Sequence, residues 1–361
     1  MHKVRLYLNS LALAPLLIAS VGVIKPPAQD NGLEAQPTLI SHSTIATGGA
    51  HSCSITNRGG VRCWGDNDYG QLGNDTKTDS LTPMAIPGLP NTIVALSAGL
   101  NHTCALTMHG AVQCWGDNSF GQLGDGTTTA RFAATIVPDF GAIAIAAGGN
   151  HTCAVTGDGA VKCWGENTFG ELGNNTYPAA HSTIPLDVVT LSSGAIGVAA
   201  GSHHSCALLV SGMVKCWGAD DLGQLGGSKS SYTYSPVDVS ALPSSASAIG
   251  AGGNHSCAIV SGATAWCWGD GSQTPSTVPG LPSDIAALSL GSGGLCGVTY
   301  SNEAVCWSLN AYSPPFWVTE LGKAVVEISV GERHYCAVTS PHTVKCWGDP
   351  DSDRLGYPTM S

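Results

Sequence analysis

Apolar and polar positions alternate in short runs along this chain, and the runs come in pairs. Cys53-Ser54-Ile55 and Val61-Arg62-Cys63 flank the polar segment Asn57-Arg58-Gly59-Gly60. Two alternating strands around a glycine-containing turn predict a β-hairpin. A period of two sets Cys53 and Ile55 on one strand face and Val61 and Cys63 on the matching face, with Trp64 pointing the other way. Both faces of the hairpin therefore carry apolar side chains, as expected of a sheet packed between two neighbours. Further short strands are predicted at Ile93-Val94-Ala95-Leu96, Ile143-Ala144-Ile145-Ala146 and Val325-Val326-Glu327-Ile328, each leading into a glycine shortly before a histidine.

The hairpin recurs seven times. Its copies carry Cys53/Cys63, Cys104/Cys114, Cys153/Cys163, Cys206/Cys216, Cys257/Cys267, Cys296/Cys306 and Cys336/Cys346, which use all 14 cysteines. The first cysteines of successive copies are 51, 49, 53, 51, 39 and 40 residues apart. Units of this length belong to radial β architectures in which each forms one blade. The predicted fold is therefore all-β, a seven-bladed propeller. Period two brings the cysteines of each hairpin face to face, so hairpin-local disulfides are expected, with a Cα separation of about 4.4 to 6.8 Å and about 2 to 3 kcal/mol of stabilisation each. Cross-blade pairing and reduced thiols are the alternatives. The nine-residue gap within each pair is too wide for a zinc knuckle. In the first four copies a loop follows, exemplified by Gly65, Gly70 and Gly73 around Asp66-Asn67-Asp68-Tyr69, and Leu72, Leu123, Leu172 and Leu225 are expected to plug it onto the blade.

The second copy reads His102-Thr103-Cys104-Ala105-Leu106-Thr107, Gly110, Val112, Trp115-Gly116-Asp117-Asn118, Gly121-Gln122-Leu123-Gly124, and the third repeats it with His151, Trp164 and Gly170-Glu171-Leu172-Gly173. This pattern resembles the repeat of the regulator of chromosome condensation (RCC1-like) family, here as a secreted, disulfide-containing variant. The resemblance implies a seven-bladed propeller and covers nearly everything beyond the leader. It also implies a binding role: members of that family include guanine nucleotide exchange factors, chromatin binders and a secreted protein inhibitor. The later copies depart from the pattern. The fifth has Cys267-Trp268-Gly269-Asp270 without the following loop, the sixth is read with Leu295 for the histidine and Ser308 for the last glycine, and the seventh ends in a shortened Arg354-Leu355-Gly356.

Residues 1–24 read as a signal peptide, with His2, Lys3 and Arg5 before an apolar run to Ile24; an uncleaved anchor is the alternative. Residues 25–32 are a short linker and 33–361 the propeller. The segment Leu33 to Ile40 is expected to complete the last blade, because the final copy stops before the proline-containing extended stretch found elsewhere as Thr82-Pro83-Met84-Ala85-Ile86. Disulfides agree with export, to a secreted, periplasmic or cell-surface location. A net charge of −11 and 14 scattered Lys and Arg argue against nucleic acid as a partner.

His51, His102, His151, His204, His255 and His334 repeat at one blade position. Catalytic centres need unlike groups at one place, so these histidines are expected to pack or to bond neighbouring backbone. No catalytic residues, cofactor or metal site are expected. Asp66-Asn67-Asp68 and Asp125-Gly126-Thr127 read as turn caps in preference to calcium ligands. Recognition is expected where the repeat breaks. The fourth copy inserts Gly227 to Ser235, with Tyr232 and Tyr234 on a projection, the next two copies are about ten residues shorter, and Trp317 adds an aromatic near that sector. Exposed aromatics anchor partners. The expected function is an exported, non-catalytic, monomeric protein-binding propeller, inhibitory or adhesive, that recognises an extracellular or cell-surface protein. The alternative is binding of an extracellular carbohydrate or envelope polymer; guanine nucleotide exchange ranks third.

Overall fold

The computed structural model describes residues 44–138, 141–177, 180–227, 230–307, 314–349, 351 and 354–356. The predicted signal segment, the linker and Leu33 to Ile40 lie outside these residues. Among the described residues no helix is long and apolar enough to cross a membrane.

Seven antiparallel sheets follow one another along the chain, six of four strands and a last one of three among the described residues. Blade one consists of Ile45–Thr47, His51–Ile55, Val61–Gly65 and Ser80–Ala85, each paired with its sequence neighbour. The first strand of every blade touches the first strands of both neighbours, and that of blade seven, Val325–Val330, touches Ile45–Thr47. The ring is therefore closed. Thr44 fastens the seam by donating its backbone N–H and its hydroxyl to the Glu327 carboxylate at 2.9 and 2.5 Å, and the Thr47 N–H donates to Ser329 Oγ at 3.0 Å. Short side chains suit the crowded axis, as in Ala142–Ala147 and Ala195–Ala200.

The core is divided between blades. The Cys53–Cys63 disulfide lies in one cluster with Trp115 of the next blade, Cys104–Cys114 with Trp164, and Cys153–Cys163 with Trp217. The series continues with Cys206–Cys216 against Trp268, Cys257–Cys267 against Trp307 and Cys296–Cys306 against Trp347, and ends with Cys336–Cys346 against Trp64 of blade one. Period two explains this arrangement: cysteine and tryptophan are adjacent in sequence and so face opposite neighbours. Leu72, Leu123, Leu172 and Leu225 are wholly buried, as expected of plugs.

All seven disulfides are hairpin-local. The expected Cα separation needs correction at every pair. It is 4.1 Å for Cys53–Cys63 and 4.0 Å for Cys257–Cys267 and Cys296–Cys306, below the expected range, because the two cysteines stand directly opposite in the ladder. Cys306 also differs from its counterparts in its outer neighbour. It stands opposite Phe316 in the two-residue strand Phe316–Trp317, where Cys63 stands opposite Met84 in the six-residue Ser80–Ala85. The register also corrects the reading of blade six. Leu295 stands opposite Trp307, as Ser52 stands opposite Trp64, so Leu295 occupies the hydroxyl position and Gly294 the histidine position.

Candidate functional site

Antiparallel order sends the turn between strands one and two and the loop between strands three and four to the same face of each blade. On this loop face five of the six repeated histidines join their blade to the next, and His255 of blade five is the exception, because Leu295 takes the hydroxyl position of blade six. His51 Nε2 meets Thr103 Oγ1 at 2.8 Å, His102 meets Thr152 at 3.0 Å, His151 meets Ser205 at 2.9 Å and His204 meets Ser256 at 2.8 Å. His334 closes the series on Ser52 at 2.8 Å. Each hydroxyl donates its one proton onward to a loop carbonyl: Thr103 to Gln71 at 3.1 Å, Thr152 to Gln122 at 2.9 Å and Ser52 to Arg354 at 3.2 Å. The same carbonyls accept the indole N–H of Trp115, Trp164 and Trp64.

A hydroxyl that donates to a carbonyl must accept from the imidazole, which places the histidine proton on Nε2 and leaves Nδ1 buried without a partner. Protonating Nδ1 would bury a charge. Burial accordingly holds His51, His151, His204 and His334 down to about 3 and His102 to about 4. The glycine three residues earlier makes room: a Cβ on Gly48 would fall 2.3 Å from His51 Cε1. These five histidines are thus inter-blade struts, as their repetition implies, although their partners are hydroxyls and not the expected backbone.

Where the repeat fails, it fails as a unit. Blade five joins its third and fourth strands, Thr264–Gly269 and Ser272–Thr277, by a two-residue turn, so blade six meets no loop carbonyl. Its hydroxyl is correspondingly replaced by Leu295, and Trp307 Nε1 is buried without a partner among the described residues. Blade six in turn lacks the histidine. Tyr335 of blade seven fills that space, stacking on Trp347 at 5.6 Å and donating its hydroxyl to the Gly293 carbonyl at 2.7 Å. The loop face is therefore low over blade five.

At blades three and four the loop face carries unlike groups. Glu171, fully buried, accepts the Phe169 N–H at 2.8 Å and faces His203 Nδ1 at 3.2 Å. Glu166 lies 3.9 Å from the same nitrogen and accepts from Asn150 Nδ2 at 3.1 Å and Thr168 Oγ1 at 3.0 Å. The hydrogen bond to Glu171, with the charges of Glu171, Glu166 and Asp221, raises the His203 pKa above its ordinary value against the effect of burial. Phe169 packs edge-on to His203 at 5.1 Å. On the rim beside them Tyr234 contacts Tyr232 at 5.4 Å and Tyr177 at 5.7 Å. Tyr177 is 77% exposed and Tyr232 43%.

Tyr232 and Tyr234 lie within the fourth strand of blade four, Tyr232–Asp238, and not on the expected projection, because the inserted residues extend the strand. Trp317 is 46% exposed in the fourth strand of blade six, beside the Cys296–Cys306 hairpin and two blades from the tyrosines. It is not brought together with them. The aspartate loops cap turns: Asp66 Oδ1 accepts the Asp68 N–H at 3.1 Å, and Asp125 holds Thr127 and Arg131.

Residues 22–293 match the RCC1-like domain and residues 325–353 the regulator of chromosome condensation (RCC1) repeat. The chain belongs to the RCC1-like domain family. It is 27% identical over 346 residues to the E3 ubiquitin-protein ligase HERC2 of Homo sapiens, a match covering 95% of this chain but 6% of HERC2. The RCC1-like propeller superposes on yeast RCC1 (Prp20) bound to Kap60 with a TM-score of 0.74 at 19% identity, over 96% of this chain and 89% of that one. It also superposes on the CRINKLY WD40 ectodomain of the Arabidopsis thaliana receptor kinase ACR4, with a TM-score of 0.53 at 22% identity, over 88% and 97%. Sequence reasoning found two of the three clustered tyrosines and missed Tyr177, Phe169, Glu166, Glu171 and His203. The signal for the last two was departure from the RCC1-like repeat: Glu171 stands where other copies have Gln71, Gln122 and Gln224, and His203 where they have Asn101, Asn150 and Asn254.

Proposed function

We propose that this chain is an exported, non-catalytic, protein-binding propeller whose recognition face is the loop face of blades three and four. The observation that carries the reading is the cluster of exposed Tyr177 and Tyr232 around the half-buried Tyr234 on an otherwise repetitive surface. Tyrosine supplies large amphipathic contact area at little entropic cost, and such residues anchor protein interfaces. The repeated histidines support the non-catalytic part, since a neutral imidazole bonded to a hydroxyl that already donates elsewhere has no free proton to exchange. Seven disulfides support export, because such bonds persist in oxidising compartments. Two relatives with the same fold lend further support: yeast RCC1 has been solved bound to Kap60, and the ACR4 propeller is a receptor kinase ectodomain.

Substituting Tyr177, Tyr232 and Tyr234 by serine tests the reading, with Trp317→Ala as the control. Quantitative capture from the protein's extracellular surroundings is expected to fall at least tenfold for the tyrosine variant alone. Equal loss with Trp317→Ala, or no loss in either, rejects this face. Retention on a glycan array without a captured protein favours the carbohydrate reading.

A further inference from the structure

The corner between blades three and four contains two carboxylates and a single imidazole. Blade two fills the same corner with a single carboxylate, Gln122 Nε2 donating to Asp117 Oδ2 at 2.9 Å. In blade three both positions are acidic, Glu166 being 8% exposed and Glu171 0%. Buried charges are either paired or bound to metal. One His203 nitrogen and one oxygen from each glutamate lie within 4.8 Å of one another. Ligand bonds of about 2.1 Å to a tetrahedral ion give ligand edges of about 3.4 Å; the two edges at His203 Nδ1 are 3.2 Å to Glu171 and 3.9 Å to Glu166.

We propose that Glu166, Glu171 and His203 form a binding site for a divalent transition metal of the zinc class, which clips blade three to blade four. One imidazole and two carboxylates are a donor set suited to such an ion. Its outer partners are in place. Asn150 and Thr168 orient Glu166, the Phe169 N–H orients Glu171, and the Phe169 ring packs against His203. Such partners fix the ligands before the ion arrives. The His203 side chain is 39% exposed, which leaves a path for the ion and a position for a water as fourth ligand. The sequence expectation of no metal weighed the repeated histidines and the aspartate loops, and this set belongs to neither. The site stands whether or not the tyrosines bind a protein.

The test is zinc chloride titration of the chelator-treated full chain by calorimetry and thermal unfolding. Glu171→Gln and His203→Asn are the informative variants, because each restores the residue that other blades carry at that position. One zinc ion per chain and a raised Tm are expected for the wild type, with binding at least tenfold weaker in either variant. Absence of zinc binding by the wild type, or undiminished binding by either variant, overturns the assignment. The imidazole nitrogen spectrum of the wild type gives a readout independent of variant folding: His203 shifts on zinc addition if it is a ligand, and an unshifted His203 refutes the site.

Discussion

Acidification should unfold this propeller through its histidine struts. His51, His151, His204 and His334 are held at about 3 and His102 at about 4, all below 6.5, because each is buried and neutral. An unfolded chain takes up these protons at the ordinary value, so between those limits the unfolded state binds more protons than the folded one. The histidine contribution is therefore fully present above about pH 6.5 and is lost as the pH falls toward the folded values. Each strut forfeits about 0.8 kcal/mol at pH 6 and about 2 kcal/mol at pH 5, or about 4 and about 10 kcal/mol for the five together. His203 works in the opposite direction, its value being raised by Glu171, and offsets a small part. Urea unfolding followed by tryptophan fluorescence, with disulfides intact, should show a midpoint that falls from pH 8 to 6 and again to 5. The slope at pH 5 should correspond to uptake of about four to five protons. Equal midpoints at pH 8 and pH 5 would refute the neutral-strut account.

Three further outcomes are expected. Ser205→Ala removes the acceptor of His151 Nε2 and should cost about 1 to 3 kcal/mol in denaturant unfolding; a loss within experimental error would mean that the strut adds nothing. Non-reducing peptide mapping should recover Cys104 linked to Cys114, Cys206 linked to Cys216 and Cys296 linked to Cys306, and predominant links between different repeats would contradict hairpin-local pairing. Deleting residues 33–40 should lower hydrogen-exchange protection in the last hairpin, His334–Thr339 and Thr343–Gly348, whereas deleting residues 1–20 should not. Unchanged protection after the first deletion would exclude Leu33 to Ile40 as the closing strand.

Much of the architecture was legible because one physical pattern is repeated. Alternation at Cys53-Ser54-Ile55 and Val61-Arg62-Cys63 was enough to predict the hairpin, the disulfide and the opposite orientation of Trp64. Spacing alone was less informative where repeats are degenerate. In blade six a one-residue difference decides whether Leu295 replaces the histidine or the hydroxyl, and only the ladder register resolves it. The tyrosine cluster was half legible. Tyr232 and Tyr234 stand two apart on one strand, but Tyr177 reaches them from the loop of the preceding blade, a contact between positions distant in sequence. The Glu166, Glu171 and His203 corner was readable in principle as three departures from the repeat pattern. Similarity to the repeat instead drew attention to the recurrent frame of Gly170, Leu172 and Gly173 around Glu171.

The most direct measurement is hydroxyl-radical footprinting of the chain alone and with the protein it captures. The account predicts protection of Tyr177, Tyr232 and Tyr234, with Phe316 and Trp317 labelled equally in both states. Protection confined to Phe316 and Trp317 or to the opposite face, with the three tyrosines labelled as in the free chain, would contradict it.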